Sequence, residues 1–207
     1  PNKTFNVILF LTDFKKKWPK DKIIKAENAN SGFTFIRGKK IFIWRFEEWS
    51  KVFIHEIVHA YNCDSDHIKN GKLNIYEGIT DFWAILYHCL FISIYFNKSW
   101  QEILWNEYLF INIQYSYLVK LWKIKKFNLT NDIQKLKQKT NGFSYYIVKF
   151  LLFYYLDDWF PKKINKKVNP KQILLIINKK FPLILKRFKF FSYSRMSLYQ
   201  ISRIKNI

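Results

Sequence analysis

The chain has 207 residues, enough for one compact domain with a substantial core or for a core with an extension. Aromatic residues make up 20% of it, which excludes an intrinsically disordered protein. Lysine and arginine outnumber the acidic residues 36 to 15, giving a formal net charge of +21. That charge suits nucleic acid or an acidic protein as a partner, although general lysine richness explains it equally well.

Two cysteines, Cys63 and Cys89, are too few for a disulfide scaffold and suit a reducing compartment, so we expect an intracellular, cytoplasmic protein. The chain starts at Pro1 without a methionine, and we expect it to be processed, trimmed or excerpted from a longer sequence. The longest apolar run, residues 82–96, contains His88 and is shorter than the roughly 20 residues that span a bilayer. It predicts a buried helix, and we expect no transmembrane segment.

The first part of the chain predicts a small β-sheet. Residues 5–11 form an apolar, β-rich run that is typical of a strand. Residues 33–36 and 41–44 predict two further strands on either side of the turn sequence Arg-Gly-Lys-Lys at residues 37–40. These two strands should form a hairpin.

The remainder predicts helices. One helix begins near Phe46, with Glu47 and Glu48 at the positive end of its dipole, and ends near Asn62. The polar segment 63–75 predicts a loop. Further helices are predicted at residues 77–96, 100–123, 132–139, 143–159 and 170–186.

This order of elements predicts an α+β fold, with a small N-terminal sheet followed by a mainly helical C-terminal part. Pro161 and the lysines that follow it mark a basic linker. We therefore divide the chain into a core, residues 1–160, and a basic helical extension, residues 161–207, that packs on the core.

His55, Glu56 and His59 form the most informative pattern, His-Glu-Ile-Val-His. On a helix the two histidines lie one turn apart on the same face, so their ring nitrogens can meet at one metal ion. Glu56 can reach a metal-bound water without binding the metal itself. The pattern predicts a hydrolase with Zn²⁺ as its cofactor.

A catalytic zinc site needs a third protein ligand, which should come from a different element. Glu77 opens the next predicted helix, and Asp81 lies one turn later on the same face. A carboxylate there can accept the free N–H of a ligating imidazole and fix its tautomer. We therefore predict Glu77 as the third zinc ligand and Asp81 behind a histidine ligand.

Other metal-binding side chains lie nearby. Cys63, Asp64, Asp66 and His67 all follow His59 in the predicted loop. Cys63 could reach a metal if the helix continued, but a buried thiol is the more common state of a free cysteine. His67 is expected to be solvated. A fifth residue, His88, is expected to be a core histidine satisfied by a hydrogen bond.

With these residues in place, the sequence resembles the gluzincin metallopeptidases, which include thermolysin and the zinc aminopeptidases. That group pairs His-Glu-x-x-His with a downstream glutamate, often within Glu-x-x-x-Asp, and here 17 residues separate His59 from Glu77. The resemblance covers roughly residues 30–85. It implies a zincin-like active-site helix pair beneath the sheet, with Glu56 as the general base that activates zinc-bound water.

A second resemblance concerns residues 41–49, Ile-Phe-Ile-Trp-Arg-Phe-Glu-Glu-Trp. This segment is similar in sequence to uncharacterised zinc-peptidase-like proteins of large DNA viruses. The richness in Lys, Asn and Ile, which suggests AT-rich coding, agrees with that similarity. It implies a viral protein and adds the virion to the expected locations.

A peptidase also needs a donor for the oxyanion of the tetrahedral intermediate. Gluzincins usually supply a Tyr or His from a later element, and Tyr145 and Tyr146 come at a comparable distance after Glu77. Ordinary aromatic core packing is the alternative for both tyrosines. Arg195 is another candidate, because a guanidinium binds carbonyls and carboxylates.

Zinc peptidases hold an extended substrate against an edge strand above the active-site helix. Residues 30–35 predict such a strand, with Asn30 and Gly32 as substrate-binding positions. Glu27 would bind a free amine if the protein were an aminopeptidase.

The sequence therefore predicts a zinc metallopeptidase that hydrolyses polypeptide substrates. The alternative is a catalytically inactive, zinc-stabilised structural protein, associated with the virion or with nucleic acid. A third reading is that the histidine motif is coincidental and binds no metal.

Overall fold

The computed structural model describes residues 4–35, 38–61, 69–70, 73–124 and 136–159, together with Leu175. Its elements give an α+β fold, as predicted, with the sheet first and helices after it. The strands are β1 (Asn6–Thr12), β2 (Gly32–Thr34), β3 (Lys40–Arg45), β4 (Lys69–Asn70) and β5 (Leu73–Asn74). The α-helices are α1 (Ala26–Ala29), α2 (Trp49–Ala60), α3 (Tyr76–Phe96), α4 (Trp100–Trp122), α5 (Lys149–Tyr154) and α6 (Leu156–Trp159). A 3₁₀ turn spans Phe46–Glu48, and a π-helical turn, called the π turn below, spans Ser144–Val148.

The main sheet has the strand order β1-β3-β2. β3 runs parallel to β1 and antiparallel to β2, which confirms the predicted pairing of the second and third strands. Side chains alternate along β3, so Ile41 and Ile43 are buried and pack with Val52 of α2. This contact places α2 directly against the sheet. β2 is an outer strand of the sheet and also packs against α2.

The helical part is organised around α3. Its buried side packs against α4, the π turn and α5, forming the larger of two apolar clusters. α3 ends at Asn97, whose φ of 50° is left-handed, and Ser99 caps α4 by accepting the backbone N–H of Glu102 at 3.4 Å. The connection is therefore very short, and α3 and α4 pack side by side as a helical hairpin.

α3 is longer than the apolar run at residues 82–96 and matches the helix predicted at residues 77–96. Because the polar turn from Tyr76 to Asp81 belongs to the same helix, it reaches 21 residues and is long and apolar enough to cross a membrane. Half of its most apolar window is buried inside the fold, with Phe82, Ile85 and Cys89 in the core. That burial is what the core helix of a packed domain shows.

Three predicted elements need correction. The helix at 132–139 is wrong in its described part, because the backbone of Ile24 bonds to Lys137 and Lys139 and forms a bridge with Gln138. This long-range pairing prevails over local helix propensity. The helix at 143–159 is interrupted by the π turn and by a break at Tyr155, and the loop at 63–75 includes the β4–β5 pair. The helix at 170–186 and the extension lie outside the described residues, apart from Leu175.

Candidate metal centre

Three potential metal ligands converge where α2 faces α3. His55 and His59 lie one turn apart on α2, and their Nε2 atoms are 3.0 Å apart. Glu77 lies in the first turn of α3, with its Oε2 atom 3.3 Å from His55 Nε2 and 3.4 Å from His59 Nε2. The structure therefore brings together the ligand set that the sequence predicts.

The separations fit a tetrahedral zinc ion. Bond lengths of about 2.0–2.1 Å place neighbouring ligand atoms of such an ion about 3.3 Å apart. Burial lowers the pKa of His55 to about 3, so its ring is neutral at physiological pH. Because His55 Nδ1 lies 3.0 Å from Asp81, its proton belongs on that nitrogen and the Nε2 lone pair points towards Glu77. A lone pair in this position is the donor that a zinc ion at the cluster would use.

The charge on Glu77 suits the same role. Burial alone would raise the pKa of Glu77, but its close contacts with the His55 and His59 rings hold it well below the usual glutamate value. Glu77 is therefore anionic at neutral pH. Two imidazoles and one carboxylate are a donor set that catalytic zinc sites use.

Asp81 lies behind His55, as predicted. Its side chain is fully buried and accepts the His55 Nδ1–H, while Lys149 Nζ lies 2.8 Å from its other oxygen and Lys51 also contacts it. The sequence reasoning missed both lysines. The available signal was a lysine inside each of two apolar helical runs, at positions where a solvated face is not expected.

Glu56 faces the edge strand β2. A Cβ atom on Gly32 would lie 3.0 Å from Glu56 Oε1 and 2.5 Å from Val52, so only glycine allows this approach. The backbone N–H of Thr34 also bonds the Glu56 carboxylate. Burial raises the pKa of Glu56 to about 8, and a divalent cation at the cluster would lower it again. Gly32 and Glu56, two predicted site residues, therefore share one contact.

The two candidate tyrosines contact different parts of the structure. The Tyr145 hydroxyl donates to Glu77 Oε2 at 3.0 Å, and burial beside Glu77 raises its pKa well above the usual value, so it remains a donor. The Tyr146 hydroxyl donates to the Asn28 carbonyl at 3.3 Å, and its ring packs against Trp18. Tyr146 therefore belongs to the core and not to the cluster, because adjacent helical residues point in different directions.

The remaining candidates lie elsewhere. The Asn30 side chain accepts a hydrogen bond from Thr140 at 3.2 Å, and the backbone carbonyl of Glu27 accepts one from Arg45. The predicted roles of Asn30 and Glu27 in substrate binding stay predictions. His88 bonds Ser50 at 3.0 Å, as expected for a core histidine. The following candidates lie outside the described residues: Cys63, Asp64, Asp66, His67 and Arg195.

Comparison with known proteins gives one viral relative. The chain is 29% identical, over 189 residues, to a protein of Acanthamoeba polyphaga mimivirus described as uncharacterized protein R210. The alignment covers 77% of this chain and 49% of the relative, so the chain spans about half of that protein's length. No protein-family model matches the chain, and no solved structure matches it.

Proposed function

We propose that this protein is a zinc-dependent metallopeptidase, with His55, His59 and Glu77 as its zinc ligands. The observation that carries the proposal is the convergence of their three donor atoms at separations of 3.0–3.4 Å. The resemblance to gluzincins supports it, since that group has the same ligand order and a zincin-like helix pair beneath a sheet. The zinc ion, when bound, supplies a Lewis acid that polarises a peptide carbonyl and acidifies water.

Glu56 is the general base in this proposal. It lies next to His55 in sequence, packs against Gly32 of β2 and is close enough to His59 and Glu77 to respond to their charges, which suits a base that exchanges protons with water and with the leaving amine. Thr34 orients the Glu56 carboxylate through its backbone N–H. A purely structural zinc site has no use for a carboxylate held in this way.

Tyr145 is the proposed donor to the substrate's carbonyl oxygen. Its hydroxyl already reaches Glu77 at 3.0 Å, so a carbonyl at the cluster comes within its range by a small rotation. Its raised pKa keeps the proton on the phenol, which a hydrogen-bond donor needs. Arg195 lies outside the described residues and takes no part in this account.

The proposed substrate is a polypeptide in extended conformation. β2 is an outer strand of the three-stranded sheet in the described part of the chain, and the N–H of Thr34 points out of that sheet towards Glu56. An extended peptide paired along β2 would pass directly over Glu56 and the ligands. In this proposal, the scissile carbonyl of such a peptide lies at the cluster.

The Glu56→Gln variant tests the mechanism. It should keep zinc, because Glu56 is not a ligand, and should lose at least about 10²-fold in peptide cleavage, because the base is removed. Zinc content and hydrolysis of a mixed peptide library are measured together on the same sample. Glu102→Gln, an exposed substitution in the first turn of α4, is the matched control. Unchanged cleavage by Glu56→Gln would refute the assigned role.

A second candidate is an inactive, zinc-stabilised protein of the virion or bound to nucleic acid. The charge of +21 and the viral relative favour it. It predicts no cleavage of any peptide by the zinc-loaded wild type, together with DNA or RNA binding that weakens steeply with added salt.

A further inference from the structure

A group of buried charges lies behind the proposed zinc ligands. Within the part of the chain that the structure describes, Lys16, Lys51 and Lys149 are all completely buried. Lys16 pairs with Glu48, while both Lys51 and Lys149 contact Asp81. Buried lysines are rare because desolvation penalises their charge, so their placement here calls for a functional account.

Lys149 carries its charge at neutral pH. Burial lowers its pKa to about 8, and the nearby carboxylates Glu107 and Glu48 oppose that shift. The amine therefore remains mostly protonated at pH 7. Its Nζ lies 2.8 Å from Asp81 Oδ2, so the two side chains form a close, buried ion pair.

Asp81 links this charge to the metal cluster. Its Oδ1 accepts the Nδ1–H of His55 at 3.0 Å, and the Nε2 of the same ring faces His59 and Glu77. A carboxylate behind a ligating imidazole makes that ligand more basic and strengthens metal binding. A cation on the same carboxylate has the opposite effect, because it withdraws negative charge from the histidine and repels the metal ion.

We propose that Lys149 is a positioning residue that tunes the zinc site through Asp81, weakening zinc binding so that the bound ion stays strongly electrophilic. The inference rests on the proposed zinc site but not on peptidase activity. It predicts the direction in which zinc affinity changes when Lys149 is replaced, and that direction differs from the one expected of a merely structural lysine. Removing a structural support loosens the site and weakens zinc binding, whereas removing the tuning charge strengthens it.

Lys16 provides a matched control. It is as buried as Lys149, its pKa is likewise lowered to about 8, and it pairs with one carboxylate, Glu48. Glu48 accepts a hydrogen bond from the Ser31 hydroxyl, whereas Lys149 is paired with the carboxylate that lies behind His55. Loss of the Lys16 charge should therefore cost stability in a similar way without acting through His55.

The experiment measures zinc affinity of the metal-free chain by competition with a chromophoric chelator. Lys149→Gln keeps an N–H donor and removes the charge, and it should bind zinc about ten-fold more tightly than wild type. Lys149→Arg, which keeps the charge, should stay near the wild-type value, and so should Lys16→Gln. Unchanged or weaker zinc binding by a folded Lys149→Gln variant would overturn the proposal.

Two further outcomes are assigned in advance. If Lys149→Gln does not fold by circular dichroism, Lys149→Met, which keeps the apolar stem and removes the charge, must show the same tightening, or the proposal fails. A wild type that binds no zinc overturns both this proposal and the zinc peptidase. A wild type that binds zinc but cleaves no peptide overturns only the peptidase, because the affinity comparison still decides the role of Lys149.

Discussion

Tyr145 and Tyr146 are neighbours in sequence with different roles in the structure. Tyr145 donates to Glu77 at 3.0 Å and belongs to the metal cluster, while Tyr146 donates to the backbone of Asn28 in the core. Both hydroxyls are nearly or fully buried, so each loses a hydrogen bond on truncation. Replacing each tyrosine in turn therefore distinguishes a contribution to the metal cluster from a contribution to stability alone.

Tyr145→Phe should weaken zinc binding about ten-fold, because Glu77 loses the donor that orients its carboxylate. Tyr146→Phe should leave zinc affinity unchanged and lower the free energy of unfolding by about 1 kcal/mol. Chelator competition and urea denaturation of the two variants give both numbers. Equal zinc affinities in the two variants would contradict the assignment of Tyr145 to the site.

Among the elements, the π turn determines which residues reach the first turn of α3. A Cβ atom on Gly78 would lie 2.8 Å from the Ser144 carbonyl and 2.7 Å from Val148, so glycine is what lets the two elements touch. This close approach carries Tyr145 to Glu77, the residue next to Gly78. π turns are often found at functional sites, and here the turn aims a side chain at the ligands.

Gly78→Ala should destabilise the protein, although replacing glycine by alanine usually stabilises a helix. In an exposed helix interior, alanine in place of glycine stabilises by about 1 kcal/mol. Here the added methyl group meets backbone that cannot rotate away, so we expect a loss of about 1–3 kcal/mol in unfolding free energy. Zinc affinity should fall with it, because α3 and the π turn move apart. A variant more stable than wild type in thermal unfolding would contradict the packing described for Gly78.

Sequence patterns predict those parts of the site that one helix or one connection determines. His55 and His59 follow from helical spacing alone, and Glu77 follows because it opens the next helix. Lys149 and the bridge between Ile24 and Gln138 depend on contacts between distant segments, which no local period encodes.

The same reason explains why sequence patterns predict β1, β2, β3, α2, α3 and α4 close to their observed bounds. Their hydrophobic patterns are long and regular, as in the alternation of buried residues along β3. The π turn and the break at Tyr155 interrupt a run that is apolar throughout, so its periodicity predicts only one continuous helix.

For the whole molecule, the formal charge of +21 coexists with a buried group of opposing charges. Lys16 reaches Glu48 in this group, and Lys149 reaches Asp81. Burial lowers the pKa of both Lys16 and Lys149 to about 8, so the folded chain releases these two protons more readily than the unfolded chain does. Stability must therefore depend on pH above neutrality.

The direction follows from proton binding. Between a folded-state pKa of about 8 and the ordinary value of 10.5, the unfolded state holds more protons on Lys16, so this lysine makes stability rise with pH. Its destabilising effect is fully present below about pH 8 and is relieved as the pH approaches 10.5. Lys16→Met removes this dependence while leaving Lys149 and the tyrosines in place.

From about pH 7.5 to about pH 9.5, the unfolding free energy of wild type should gain about 2 kcal/mol relative to that of Lys16→Met. Urea denaturation at the two pH values measures this difference, and the titration of all other groups cancels in the comparison. The same change in both proteins would show that Lys16 is not a desolvated lysine in the folded state.

The most direct test of the account is the zinc content of the purified chain after dialysis against metal-free buffer. We predict about one zinc ion per chain in wild type and close to none in His59→Ala and Glu77→Ala, since each removes one of three protein ligands. Lys16→Met, outside the cluster, should keep the wild-type content. A folded wild type that retains no zinc, or ligand variants that retain it fully, would contradict the metal centre and the function proposed from it.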